Sequence, residues 1–75
     1  MSEKSLVELR VGLSGRIVRL ETHDETLLRK LTALGLAPGE ELTLLQKIPS
    51  YIIKVGYTEV ALDRETAVSI ILSCD

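Results

Sequence analysis

The segment THDETLLRKLTALGLAPGEELTL, residues 22–44, predicts a short helix, a tight stop, a turn and the start of a strand. The helix is expected over residues 24–34, and the spacing of Thr22 and Glu25 predicts a capping box at its N-terminus. A helix of about three turns is marginal in water, so it must pack on the rest of the chain. Its apolar stripe consists of leucines at helical spacing: Leu27, Leu28, Leu31 and Leu34.

A glycine directly after the stripe predicts where this helix ends. Gly35 can adopt the left-handed conformation of a Schellman ending, which would place Leu36 against Leu31. Residues 37–40, Ala-Pro-Gly-Glu, then have the order of a type II turn, with proline second and glycine third.

Size and composition limit what the chain can be. With 75 residues it is expected to form one domain, residues 1–75, which buries only about 60% of its unfolded surface. Because it has two Tyr, no Phe and no Trp, its core must consist of Leu, Ile and Val.

A single cysteine, Cys74, excludes an internal disulfide and is compatible with a reducing compartment. Without a signal segment or a long apolar run, the protein is expected to be soluble and cytoplasmic.

The charge of the chain argues against nucleic-acid binding. Its net charge is −2, whereas proteins that depend on phosphate contacts are usually basic. It also lacks the aromatic side chains on which single strands stack.

Short apolar segments elsewhere predict a mainly β fold. We expect a lead-in with one helical turn around residues 6–9, a turn at 12–15, and a single helical turn at 63–67 with Asp63 as its N-cap. Five short strands at close spacing bury their apolar faces by curling into a partly closed barrel. We therefore predict a small SH3-like barrel with one inserted helix over an open end. The five strands are expected at residues 16–21, 41–47, 51–55, 58–62 and 68–72.

Few side chains have the chemistry of an active site or a metal site. The only histidine, His23, is expected at an exposed helix start, and no serine has the context of a nucleophile elbow. His23, Asp24 and Glu25 diverge by about 100° per residue on a helix, and Cys74 and Asp75 join them only through folding or between chains. We expect no enzyme, no cofactor and no tight metal site in the monomer, with weak or inter-chain divalent metal binding as the alternative.

A series of motifs carries a family resemblance. The most specific is R-K-L-x-x-L-G-L-x-P-G at residues 29–39, accompanied by Gly15-Arg16-Ile17 and Ala61-Leu62. From about residue 6 to 72 the chain resembles the FeoA family, small cytosolic proteins of bacterial ferrous iron uptake. The resemblance implies an SH3-like barrel that acts on FeoB, a membrane transporter with a cytosolic GTP-binding domain. The chain departs from the family in its short connection at residues 48–50 and in Asp63, where an arginine is common.

Two functions remain open after this resemblance. In the first, the chain is an interaction module that binds the transporter's cytosolic region and modulates its activity. In the second, it is a metal-responsive regulatory domain similar to the C-terminal domains of iron-dependent repressors, with DNA binding on a separate chain. The lack of a basic helix-turn-helix segment favours the first.

The predicted partner contacts lie on a strand and on the helix. Tyr51, Ile52 and Tyr57 are expected to form a contact patch, since clustered exposed apolar groups often mark interfaces. Arg29 and Lys30 on the helix are expected to meet an acidic partner. The strand that contains Ile52 could also pair edge to edge with a second copy and give a homo-oligomer.

Overall fold

One antiparallel sheet of six strands and two α-helices make up residues 2–74, the part of the chain that the computed structural model describes. The strand order across the sheet is β1-β6-β2-β3-β4-β5. The predicted mainly β fold with one inserted helix and one short helical turn is confirmed. The strands are β1 (Ser2–Ser5), β2 (Ser14–Leu20), β3 (Glu41–Gln46), β4 (Tyr51–Val55), β5 (Thr58–Leu62) and β6 (Ile70–Cys74); the helices are α1 (Glu25–Ala33) and α2 (Arg64–Val68), with a 3₁₀ turn at Leu6–Glu8.

The N-terminus of α1 is capped by a different residue from the one predicted. Asp24 is the N-cap, and its carboxylate accepts hydrogen bonds from the amides of Thr26 and Leu27 at 3.0 and 3.1 Å. The predicted Thr22–Glu25 capping box is wrong, since the Thr22 hydroxyl instead accepts from the Asp24 amide. Aspartate is an equally good N-cap residue, and Asp24 lies two residues nearer the leucine stripe than Thr22.

The predicted helix stop is confirmed in detail. The Leu36 amide donates to the Leu31 carbonyl at 2.9 Å and the Gly35 amide to the Thr32 carbonyl at 3.0 Å, which is the hydrogen-bond pair of a Schellman motif. Gly35 has φ +93°, in the left-handed region. The turn after it is also as predicted, because the Glu40 amide donates to the Ala37 carbonyl.

Replacing Gly35 by alanine is expected to lower the free energy of unfolding by about 1 kcal/mol. The cost comes from backbone strain rather than from a clash, since an added Cβ would lie 3.5 Å from Val55, an ordinary contact distance. Urea unfolding followed by circular dichroism measures the change. Alanine in place of Thr32, an exposed residue of α1, is the control, and an unchanged unfolding midpoint for the Gly35 variant would contradict the assigned cap.

The core forms between the curled sheet and the helices. Leu31 is the α1 residue that is fully buried, whereas Leu27 and Leu34 are partly buried against the core. Leu28 is half-buried and lies outside the core cluster, so the apolar stripe is narrower than predicted. The buried cluster contains Leu6, Leu9, Ile17, Leu31, Leu36, Leu42, Leu44, Tyr51, Ile53, Val55, Val60, Leu62, Ala67, Ile70 and Leu72.

Strand β1 is an element that the sequence did not predict. It pairs antiparallel with β6, with Ser2 opposite Cys74 and Ser5 opposite Ile71. Arg19 of β2 supports this edge, since its guanidinium contacts the carboxylate of Glu3 at 2.7 Å. The 3₁₀ turn that follows β1 lies where a helical turn was predicted, within residues 6–9.

The remaining element boundaries show where local signals were sufficient. Strands β4 and β5 coincide with the predicted segments and form the predicted hairpin. The predicted turn at 12–15 is too long, because Gly15 already lies in β2 opposite Leu42. Asp63 caps α2 as predicted, but α2 continues to Val68, so the last strand begins two residues later than expected.

Candidate interaction surface

The helix supplies the first pair of predicted contact residues. Arg29 and Lys30 are both exposed on α1. The Arg29 guanidinium lies 3.6 Å from the carboxylate of Glu25, but both side chains are about four-fifths exposed, at 78% and 82%. Exposed pairs of this kind contribute little, so both cations remain available to a partner.

Lys30 faces the junction between β5 and α2. The pKa of the Asp63 carboxyl there lies below its ordinary value, first because the Thr66 amide donates to it at 2.7 Å and also because Lys30 is nearby. Asp63 is therefore ionised at neutral pH. The positively charged surface of Arg29 and Lys30 is therefore bordered, on the Lys30 side, by the ionised carboxylate of Asp63.

Tyr51 is placed in the core rather than on the surface. Its side chain is 8% exposed and belongs to the same face of β4 as Ile53 and Val55. In a chain without Phe or Trp, a tyrosine is the largest ring available to fill the barrel. Its hydroxyl reaches the rim, where it accepts a hydrogen bond from Arg64 at 3.1 Å.

The structure does not bring the three predicted patch residues together. Ile52 is half-buried on the face of β4 opposite Tyr51. Tyr57 is fully exposed in the turn between β4 and β5. A five-residue strand spans roughly 17 Å, so Tyr51 and Tyr57 mark opposite ends of β4.

Edge-to-edge pairing of two copies through β4 is a prediction that the topology contradicts. Strand β4 lies between β3 and β5 and is hydrogen-bonded on both sides. Its backbone groups are therefore already paired within the chain. The outer strands of the sheet, within residues 2–74, are β1 and β5.

An open groove lies beside Tyr51 and includes residues that the sequence reasoning did not select. It runs between the connection from β3 to β4 and the junction of β5 with α2, with a volume of about 560 Å³. Ile48 in this connection is 84% exposed. The lining of the groove also contains Lys47, Pro49, Leu62 and Arg64. An isoleucine next to a proline in a strand break was the one sequence signal for an exposed apolar side chain here.

Neither a metal-ligand cluster nor a membrane-spanning helix occurs in residues 2–74. Among residues 2–74, no group of three or more His, Cys, Asp or Glu side chains is placed to hold a metal ion. His23 is exposed, as predicted. Over the same residues no helix is long and apolar enough to cross a bilayer, since α1 has 9 residues and α2 has 5.

Comparison with known proteins gives a consistent family match. The family model of the FeoA domain matches residues 4–74. A crystal structure of an iron uptake regulatory protein, FeoA, is 25% identical with a TM-score of 0.86 and 97% of each chain covered. The iron(II) transport protein A from Clostridium thermocellum is 33% identical with a TM-score of 0.80, over 91% of this chain and 44% of that one.

A third solved structure confirms the predicted fold type. FeoA from Stenotrophomonas maltophilia, solved in complex with zinc and described as a prokaryotic SH3 domain protein, is 25% identical. Its TM-score is 0.81, with 93% of this chain and 89% of that chain covered. The predicted SH3-like barrel is thereby confirmed. No curated protein sequence matches the chain.

The same fold occurs as one part of larger proteins, among them a manganese-dependent transcriptional repressor. IdeR from T. acidophilum has a TM-score of 0.90 at 19% identity, which shows a shared fold alone. All of this chain is covered, but it spans about a third (35%) of the IdeR chain.

Proposed function

Since the chain belongs to the FeoA family, we propose that it is a small cytosolic accessory protein of bacterial ferrous iron uptake. In this role it binds and modulates the cytosolic, GTP-binding region of a FeoB-type membrane transporter and catalyses no reaction itself. The observation that carries the proposal is the family match over residues 4–74, with whole-length similarity to solved FeoA proteins. The sparse catalytic side chains support action through the surface.

The exposed face of helix α1 supplies the binding element in this proposal. Arg29 and Lys30 lie next to each other on it, and both are exposed. Arginine is enriched among the side chains that dominate interface energies. An acidic region of the transporter would complement them and increase the rate of association.

A second candidate function is a metal-responsive regulatory domain. The fold similarity to IdeR supports it. The DNA-binding element would then belong to a separate chain, because the basic helix-turn-helix pattern is absent from this sequence. The two functions differ in the partner that is bound, so one binding experiment separates them.

We expect the purified chain to bind the purified cytosolic region of the FeoB-type transporter from the same organism, measured by isothermal titration calorimetry. Arg29→Glu with Lys30→Glu should weaken this binding about tenfold or more, because it places two negative charges where two positive charges met the partner. A matched control, Lys4→Glu with Lys54→Glu, changes the net charge equally at two exposed residues away from α1.

Three outcomes of this titration would contradict parts of the proposal. No binding by the parent chain would overturn the transporter function. An equal loss in both double variants would show that net charge, and not the face of α1, determines binding. Undiminished binding by the α1 variant would exclude Arg29 and Lys30 from the contact.

A further inference from the structure

The groove beside Tyr51 combines an exposed apolar surface with two cationic side chains. Ile48, Pro49 and Leu62 contribute apolar lining, and the cations are Lys47 of the β3–β4 connection and Arg64 at the start of α2. Ile48 exposes 84% of its surface. Large exposed apolar side chains next to charged ones are a feature of protein-binding surfaces.

Neutral acceptors fix the positions of both cations and leave their charges uncompensated. The Lys47 ammonium donates to the backbone carbonyl of Val7 at 3.1 Å, and the Arg64 guanidinium donates to the hydroxyl of Tyr51 at 3.1 Å. Within residues 2–74, neither cation has a carboxylate within ion-pair distance, in contrast to Arg19 and Arg29. Arg64 retains further N–H donors in its planar fork.

The carboxylate at the rim of the groove does not neutralise these cations. Asp63 holds the start of α2, where the Thr66 amide donates to its carboxylate at 2.7 Å. Its charge also interacts with Lys30 of α1. The lining therefore has two cations against one carboxylate that is already used as a helix cap.

We propose that this groove binds an extended acidic segment of a partner protein, in which a carboxylate lies next to an aliphatic or aromatic side chain. The carboxylate pairs with the Arg64 fork, a geometry that gives strong, directional hydrogen bonds. The neighbouring apolar side chain packs on Ile48 and Leu62 and removes Ile48 from water. The proposal goes beyond the transporter function, since it holds for any partner that presents such a segment.

A random heptapeptide library displayed on phage, selected against the whole chain, tests this groove. We expect the enriched peptides to contain Asp or Glu directly beside Leu, Ile, Phe or Tyr. Replacing the acids of the most enriched peptide by Asn or Gln should weaken its binding at least tenfold by fluorescence anisotropy. This arm alters the ligand alone and therefore does not depend on how any protein variant folds.

Variants of the chain locate the binding. Lys47→Glu with Arg64→Glu should lower the affinity for the same peptide at least tenfold, and Ile48→Ser should lower it severalfold. The control, Lys4→Glu with Lys54→Glu, should leave this affinity unchanged. Because Arg64 contacts Tyr51, circular dichroism checks each fold, and Arg64→Gln, which preserves a donor, is the milder substitute. Selection without acidic enrichment, or equal binding by the groove variant and the control, would overturn the proposal and leave the transporter titration unaffected.

Discussion

Replacing Leu44 by alanine is expected to lower the free energy of unfolding by about 2–5 kcal/mol, and a loss at the upper end of this range would leave a large fraction of the molecules unfolded at room temperature. Leu44 lies in β3 with none of its surface exposed, and it belongs to the central core cluster. A folded chain of this length is stable by only about 5 kcal/mol. The loss of one core side chain and the cavity left behind is therefore comparable with the whole stability.

The neighbouring residue provides a matched control for this substitution. Leu45 is on the opposite face of the same strand and is 38% exposed. Leu45→Ala removes the same atoms without creating a buried cavity, so its cost should stay within about 1 kcal/mol. Urea titration of both variants, followed by circular dichroism, measures the difference. Equal destabilisation of the two variants would mean that β3 does not present Leu44 to the core.

The second large effect is expected at Gly15, where replacement by valine should cost about 1–3 kcal/mol through overpacking. A Cβ built at Gly15 would lie 3.1 Å from the Cβ of Leu72 and 3.2 Å from the Sγ of Cys74. Both distances are shorter than an ordinary van der Waals contact. The two additional methyl groups of valine extend the clash, even though valine favours strands in general.

A graded series separates this clash from other effects of the substitution. Gly15→Ala should cost less than Gly15→Val, because it adds only the Cβ. Adding Cys74→Ala to Gly15→Val should restore part of the lost stability, since it removes one of the two clashing groups. Thermal unfolding of the single and double variants measures this coupling. Additive effects of the two substitutions would mean that the side chain added at position 15 does not clash with Cys74.

Local signals account for the parts of the fold that were predicted correctly. The leucine spacing, Gly35 and the following Pro-Gly turn each act within a few residues, so their conformations are encoded where they occur. Strand β1 differs because its sequence, Ser-Glu-Lys-Ser, has no apolar alternation. It becomes a strand only by pairing with β6, about seventy residues away in the chain. Such a long-range partner leaves no local pattern.

The candidate site, like the fold, could be predicted from the sequence only in part. Helical spacing was sufficient to place Arg29 and Lys30 on the exposed face of α1. The contact between Arg64 and Tyr51 depends instead on how the β5–α2 junction returns to the start of β4, which no spacing encodes. The alternation of β4 did indicate that Tyr51 shares the core face with Ile53 and Val55. The predicted patch of Tyr51, Ile52 and Tyr57 relied on the tyrosine rings and disregarded this alternation, which places Tyr51 and Ile52 on opposite faces of β4.

The pairing of β1 with β6 also has a practical consequence for protein engineering. Because Ser2 is opposite Cys74, the two ends of the described chain are about 5 Å apart across the ladder. A linker of about two or three residues would join them without distorting the sheet. Residues 2–74 are thus suited to circular permutation, and to insertion as a cassette into a surface loop of a host protein.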